Sequence, residues 1–256
     1  MTIDSSSIIS NKTKIHPSVN IGPFCIIGDD VEIEEGTSVL SHVIIKGPTK
    51  IGKNNTIYQF SSIGEDTPDK KFKGEDTKLI IGDDNVFREG VTVHRGTIQD
   101  NGVTKIGNGN LLMAYTHIAH DCLVGDSNIF ANNAAIAGHV SVGNYVVIGG
   151  YSAVHQFCSL GDYSFAGMNT SITMDVPAYT KVASNPARVI GLNSVGMSRN
   201  NIPSESISLI KKAFKIIYKK GLKLEDSLKE IDILLAESND TYLDIFSQSI
   251  KASRSE

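Results

Sequence analysis

At 256 residues, the chain is long enough for one substantial hydrophobic core and a small second domain. A formal net charge of −4 and a pI near 6.0 argue against nucleic acid as a partner. No run of about 18 apolar residues occurs, so no transmembrane segment is expected, and a cytoplasmic location is expected instead.

An aliphatic residue returns every six positions from Ile3, through Ile9, Ile15 and Ile21, as far as Ile63. Neither an α-helix, with a period of about 3.6, nor a flat strand, with a period of about 2, repeats in this way. A chain that turns a corner every six residues does. The segment Met1 to Ser10 already carries the period and has no basic stretch ahead of an apolar one, so it reads as structure and not as a signal peptide. Glycine often stands second in a hexad, as in Ile21-Gly22, Ile51-Gly52 and Ile106-Gly107, where it is expected to ease corners that need positive φ. The fifth place takes small or β-branched residues such as Val19, Thr37 and Ala134, which suit a narrow interior. Cys25, Cys122 and Cys158 occupy the same place, so the three thiols are expected to pack and not to react or pair.

The period breaks first at Glu65 to Lys78, a charged loop without aliphatic residues that is expected to protrude. It resumes at Ile81, Phe87 and Val93 and breaks again near Ile98 to Thr104, where Gln99-Asp100-Asn101-Gly102 is a turn signal. From Ile106 it runs on, its phase shifted by one, through Leu160, and it weakens toward Ile190. Beyond that the spacing becomes helical. Ser204 to Lys220 places Ile207, Ile210, Phe214, Ile217 and Tyr218 on one face, with Gly221 as a stop. Glu225 to Glu237 and Thr241 to Ile250 repeat the pattern, and these helices are expected to cap the end of the repeat. The organisation is therefore a repeat domain over 1–190, with insertions near 65–78 and 98–104, and a helical domain over 191–256.

With the inward phases assigned, every histidine falls on an outward phase. His120, His139 and His155 lie within one residue of a single column on three consecutive coils, and Gly138 stands 18 residues after His120. A histidine beside a carboxylate such as Asp121 suits a general base. Converging imidazoles also suit a zinc site, and isolated ones are ordinary surface residues.

Hexads of this kind resemble the hexapeptide-repeat family, which implies an all-β left-handed parallel β-helix of three hexads per coil over roughly residues 3–190, followed by a small α-helical C-terminal domain. The strings His117-Ile118-Ala119-His120-Asp121-Cys122, Ala137-Gly138-His139-Val140 and Ala153-Val154-His155-Gln156-Phe157-Cys158 are similar to those of the acyl-carrier-protein-dependent UDP-N-acetylglucosamine O-acyltransferases that open lipid A biosynthesis. Ile21-Gly22-Pro23-Phe24, Val93-His94-Arg95-Gly96-Thr97 and Asn110-Leu111-Leu112-Met113 match as well.

That resemblance implies transfer of a 3-hydroxyacyl group from acyl carrier protein to the 3-hydroxyl of UDP-N-acetylglucosamine by a homotrimer, with no cofactor and no metal. It implies His120 as general base, Asp121 as its partner and the Gly138 N–H as oxyanion donor. His117, His139, His155 and Gln156 match substrate contacts, as do Asp69 and Lys71 in the first loop and Asn193 and Arg199 near the helical domain. Val195 stands where an acidic residue is expected, a basic pair is reduced to Arg199-Asn200, and Phe72 replaces a common tyrosine. Met168 lies where the resemblance places the end of the acyl groove, which implies a shorter chain of about ten carbons, since each excluded CH₂ forfeits about 0.8 kcal/mol. Lys211, Lys215 and Lys219, with Lys212 and Lys220 alongside, form a stripe suited to an acidic carrier protein. The alternatives are a zinc carbonic anhydrase on the same β-helix and the related N-acyltransferase of the same pathway. The latter would be expected to carry a separate N-terminal domain, whereas here the hexads begin at Ile3.

Overall fold

The computed structural model describes residues 2–253. Short strands, most of them two residues long, build three sheets of 11, 9 and 8 strands among the described residues, and each sheet is one face of a triangular parallel β-helix. The aliphatic of each hexad stacks on its counterpart in the next coil: Ile45 pairs with Ile63, Ile63 with Val93, Val93 with Ile118, and Ile118 with Ile136. All are buried, so the six-residue period is the interior of the prism.

The pairing distance along the chain is 18 residues in the regular part, 30 across the first loop and 25 across the second. Thirty is a multiple of six and 25 is one more than a multiple. The second loop therefore shifts the sequence phase while leaving the stack intact.

Two features of the hexad differ from expectation. Apart from Gly64, the second-place glycines do not take positive φ; the positive-φ corners are mostly non-glycine residues, including Phe24, His42, Asp121, His139 and Phe157, with Gly36, Gly90 and Gly109 among them. These glycines answer a close approach between coils. A Cβ on Gly82 would stand 2.6 Å from the Gly107 carbonyl oxygen, and one on Gly107 would stand 2.7 Å from that of Gly125.

The fifth place also admits asparagine. Asn55, Asn85, Asn110 and Asn128 are fully buried and form a ladder up the inside of one corner. The Asn85 Oδ1 accepts both the backbone N–H and the side-chain amide of Asn110 at 2.9 Å, and the Asn110 Oδ1 accepts the Asn128 N–H at 2.9 Å. The three cysteines are free and buried, and burial pushes the Cys122 thiol up to about 12.

The last coil turns into an antiparallel hairpin, Thr180–Ala183 with Arg188–Leu192, and then into helices α1 (Ser194–Arg199), α2 (Ser204–Lys219), α3 (Leu224–Ser238) and α4 (Thr241–Ala252). α1 is absent from the periodicity because it is a single capped turn and a half. Gly221 takes φ +68°, as a helix stop requires, and Asp240 caps α4 by accepting from Leu243 N–H at 2.7 Å. The fully buried residues of α2 are Ser206, Ile210, Ala213 and Ile216; of the stripe expected, Ile210 is among them, while Ile207, Phe214 and Ile217 are partly buried against the same core. α4 sits on the end of the prism, where the Ser249 hydroxyl accepts the Ala178 N–H at 3.0 Å. No helix is long and apolar enough to cross a membrane among the described residues.

Truncating Asn110 to alanine deprives the buried Asn128 N–H of its acceptor and the Gly125 carbonyl of a donor. We expect a loss of about 1–3 kcal/mol, read as a lower urea midpoint. An unchanged midpoint would show that the ladder is not stabilising.

Candidate active site

The coil closed by residues 117–122 places His117 at a strand end and His120 and Asp121 at the following corner. His120 is on an outward phase yet only 8% exposed, because Gly138, Asp121 and His139 close around it. Its Nδ1 lies 2.8 Å from Asp121 Oδ2. A carboxylate at that distance accepts the hydrogen bond of an Nδ1–H tautomer and leaves the Nε2 lone pair free. Asp121 is in turn held by three hydrogen bonds: its Oδ1 accepts the Thr97 N–H at 2.8 Å and its Oδ2 the Thr97 hydroxyl at 2.6 Å, while its own N–H donates to the Thr104 hydroxyl at 2.8 Å, fixing the backbone beneath it. The result is a buried, pre-oriented imidazole.

Gly138 lies against the other edge of that ring. A Cβ there would stand 2.5 Å from His120 Cε1 and 2.7 Å from Nε2, so no larger residue fits without displacing the imidazole. No acceptor among the described residues takes the Gly138 N–H, which is left for a ligand beside Nε2. The His139 ring meets His120 edge-on at 5.1 Å and stacks on Phe157 at 4.6 Å. His117 shares a 2.7 Å hydrogen bond with the Thr92 hydroxyl, and its ring meets His94 edge-on at 5.0 Å.

A groove of about 510 Å³ opens in front of these groups, lined by Pro68 and Asp69 of the first loop together with His117, His120, Gly138 and Gln156. The first loop therefore bends back over the site. Arg95 ties its base down by donating to the Gly64 carbonyl and the Asp66 carboxylate, and Asp69 closes a tight turn by accepting the Lys71 N–H at 2.9 Å. A larger hollow of about 780 Å³, beside α4 and lined by Lys105, Asp126 and Asp175, contains no histidine or cysteine. The histidines line the smaller one.

The remaining expected site residues are not in the groove wall of this chain. His155 is exposed, with Nδ1 3.2 Å from the Gln156 carbonyl oxygen, and Met168 is 76% exposed. Lys71 and Arg199 are exposed, and the Asn193 side chain is engaged as the N-cap of α1, accepting from Gly196 N–H and donating to the Tyr163 carbonyl. Sequence reasoning missed Thr97, Thr104 and Arg95 as supports. Only Thr97 and Arg95 fell inside a matching string, and nothing in the spacing indicated that they would reach Asp121 and the first loop.

His120, Asp121 and His139 form a group whose ligand atoms lie within 4.8 Å of one another, a candidate for holding a metal ion. A zinc ion needs contacts of about 2.0–2.1 Å. Placing one there would break the hydrogen bonds that His120 and Thr97 already make to Asp121.

The chain as a whole is similar to known proteins. A family described as UDP-N-acetylglucosamine O-acyltransferase, domain 2, matches residues 175–255, and the bacterial transferase hexapeptide family matches residues 104–138. The acyl-[acyl-carrier-protein]–UDP-N-acetylglucosamine O-acyltransferase of Stutzerimonas stutzeri is 52% identical over 253 residues, spanning 98% of this chain and 96% of that protein. Among solved structures, a UDP-N-acetylglucosamine O-acyltransferase from Moraxella catarrhalis superposes with a TM-score of 0.96 at 46% identity, covering 100% of this chain and 99% of that one. The Francisella novicida UDP-N-acetylglucosamine acyltransferase gives 0.95 at 37% identity, covering 99% and 92%.

Burial, followed by the charge of His117, pushes the His94 imidazole from 6.5 down to about 4. His117 is lowered too, by burial first and His120 second. Between pH 4 and 6.5 the unfolded chain therefore binds more protons at His94 than the folded one, so this contribution is complete above 6.5 and is lost as pH falls through about 4. Replacing His94 by asparagine is expected to flatten the rise of the urea midpoint across that window. An unaltered slope would remove His94 as its source.

Proposed function

Because this chain belongs to the acyl-carrier-protein-dependent UDP-N-acetylglucosamine O-acyltransferases, the hexapeptide-repeat acyltransferases of lipid A biosynthesis, we propose that it moves a 3-hydroxyacyl group onto the sugar 3-hydroxyl with His120 as general base. The observation that carries this reading is the His120–Asp121 pair, buried and supported, with the Gly138 N–H unused beside it.

The chemistry follows from those three groups. His120 Nε2 takes the proton of the sugar 3-hydroxyl as its oxygen attacks the carbonyl carbon of the acyl thioester. The carbonyl oxygen gains the negative charge, and the Gly138 N–H stabilises it. Asp121 stabilises the imidazolium that forms. Collapse of the tetrahedral intermediate re-forms the carbonyl and breaks the carbon–sulfur bond. The departing thiolate of the carrier takes the proton from His120, so the ester, the free carrier thiol and the neutral base are left.

His117, His139, Gln156 and Asp69 are assigned to substrate contact along the groove, and His155, Lys71, Asn193 and Arg199 to its continuation toward the nucleotide and carrier. The single chain supports a trimer in which a neighbour completes that groove. Phe24, Phe60, Tyr115, Tyr151 and Met168 all expose more than half of their surface, which is unusual for a free prism face. The exposed Lys211, Lys215 and Lys219 offer an acidic carrier protein a basic stripe. The carbonic anhydrase and N-acyltransferase readings have no comparable support, since the relatives and structures reported above are named as acyltransferases of UDP-N-acetylglucosamine.

Incubation with UDP-N-acetylglucosamine and a series of 3-hydroxyacyl carrier proteins tests the activity. His120→Ala should lower turnover by on the order of 10²–10⁴-fold with the oligomer intact, and substantial residual activity would displace His120 from its role. On the same series, Met168 is expected to favour a chain of about ten carbons, because each methylene kept out of an apolar groove forfeits about 0.8 kcal/mol. Met168→Gly should move the preference toward about 14 carbons. A wild-type enzyme that already prefers the longer donor would refute the assignment of Met168.

A further inference from the structure

The second loop, Ile98 to Thr104, is the one interruption that the reading above does not use. Its backbone folds into a compact turn in which the Asp100 and Gly102 N–H groups both donate to the Thr97 carbonyl, at 3.3 and 3.1 Å. Gly102 takes φ +70°, and Gly96 admits the close return, since a Cβ there would stand 2.3 Å from Val103 N and 2.8 Å from Asp121 Oδ1. Thr97 thus holds Asp121 at one end of the turn. At its tip, Asp100 Oδ2 lies 2.9 Å from His139 Nδ1, and Asp100 Oδ1 accepts the Asn101 side-chain amide at 2.9 Å, which orients the carboxylate.

His139 therefore has a carboxylate oxygen toward each ring nitrogen. Nδ1 is in hydrogen-bond contact with Asp100, whereas Nε2 stands 3.9 Å from Asp121 Oδ2, beyond hydrogen-bond range. That separation matters, because Asp121 Oδ2 already accepts from His120 and from the Thr97 hydroxyl. A His139 ring free to carry its proton on Nε2 and tilt by about 1 Å would become a third donor to the same oxygen and a competitor of His120. Stacking on Phe157 limits ring tilt but does not choose the tautomer.

We infer that Asp100 is a positioning residue of the acyl transfer: by accepting a hydrogen bond from the Nδ1–H of His139 it holds the proton on that nitrogen, keeps the imidazole off Asp121 and leaves Asp121 to His120. The inference rests on the assignment of His120 as general base. Asp100 touches no reacting atom. It acts through His139, and its place on the outer loop makes its removal separable from folding, since its side chain is 38% exposed and bonds only within the loop and to His139.

The test compares wild type with Asp100→Ala, Asp100→Asn and, as a loop control, Gln99→Ala. Each is measured for kcat, for KM of both substrates, for melting temperature, and for the ring-nitrogen NMR shifts of selectively ¹⁵N-labelled histidine. Asparagine keeps an oxygen that can accept from Nδ1, and alanine does not. We expect Asp100→Ala to lower kcat about tenfold with KM values within about twofold, Asp100→Asn to restore kcat to within about threefold of wild type, and Gln99→Ala to behave as wild type. The melting temperature should not move. The His139 signals should report a protonated Nδ1 in wild type and Asp100→Asn, and a shift of that proton toward Nε2 in Asp100→Ala.

A wild-type kcat in Asp100→Ala overturns the inference. So does a loss that asparagine fails to restore, which would assign the effect to charge, or one that tracks a lowered melting temperature, which would assign it to loop stability. The NMR arm needs no turnover. An enzyme that transfers no acyl group would refute the proposed function, while the unaltered His139 signals of Asp100→Ala would refute this inference separately.

Discussion

Everything in this molecule depends on one repeated interaction, the backbone hydrogen bonding of each coil to the next. The Ala119 N–H meets the Ile136 carbonyl and the Ala137 N–H meets the Val154 carbonyl, each near 3.0 Å, and the same registry runs along all three faces. Strands in such a ladder lie about 4.8 Å apart, so equivalent side chains are placed at that spacing whether or not they attract one another. Apolar residues in register make the core. Glycines in register let backbones approach, and amides in register satisfy each other. Histidines one or two places off a shared register meet at the candidate site.

This explains what the sequence could and could not reveal. The aliphatic period fixes the interior, because burial punishes any exception in a space that admits only a narrow range of side chains. The coil length then carries the outward residues onto shared edges, and His120, Gly138 and His139 are found in contact as the spacing implies. The resemblance gave roles to these residues, and the hydrogen bonds supply the geometry on which such roles depend. What remained hidden lies off the repeat. Thr97 and Asp100 reach the site from irregular chain in which the periodicity places no side chain, and Thr104, although paired with Leu79 in the small-residue slot, gives no sign in its spacing that its hydroxyl would accept the Asp121 N–H. The asparagines were hidden for another reason. A buried amide looks like an error in a hydrophobic slot until its neighbours above and below are known to be amides too.

The two insertions have a common logic. A prism is a rigid surface with flat faces, and a flat face encloses nothing. The first loop supplies a wall, through Pro68 and Asp69, and the second supplies the clamp on Asp121. Both are tethered through the short segment 94–97: Arg95 anchors one and Thr97 the other. The groove is therefore built from regular coils for positioning and irregular chain for enclosure, with positive-φ corners at Asp121 and His139 turning the side chains of the candidate site across the edge.

The asparagine ladder has a consequence for how the chain finds its own arrangement. Coils of near-identical apolar pattern attract one another almost equally well in several alignments, so a newly made chain has many pairings one coil out of place that bury similar surface. Four consecutive amides remove that degeneracy. Slipped by one coil, the ladder would set a terminal asparagine against a residue that lacks an amide, as Asn128 already stands below Val146, and would strand one more polar group in a dry interior. The amides thus act as a registration mark written in hydrogen bonds, and they mark the same coils that assemble His94, His117, His120 and His139.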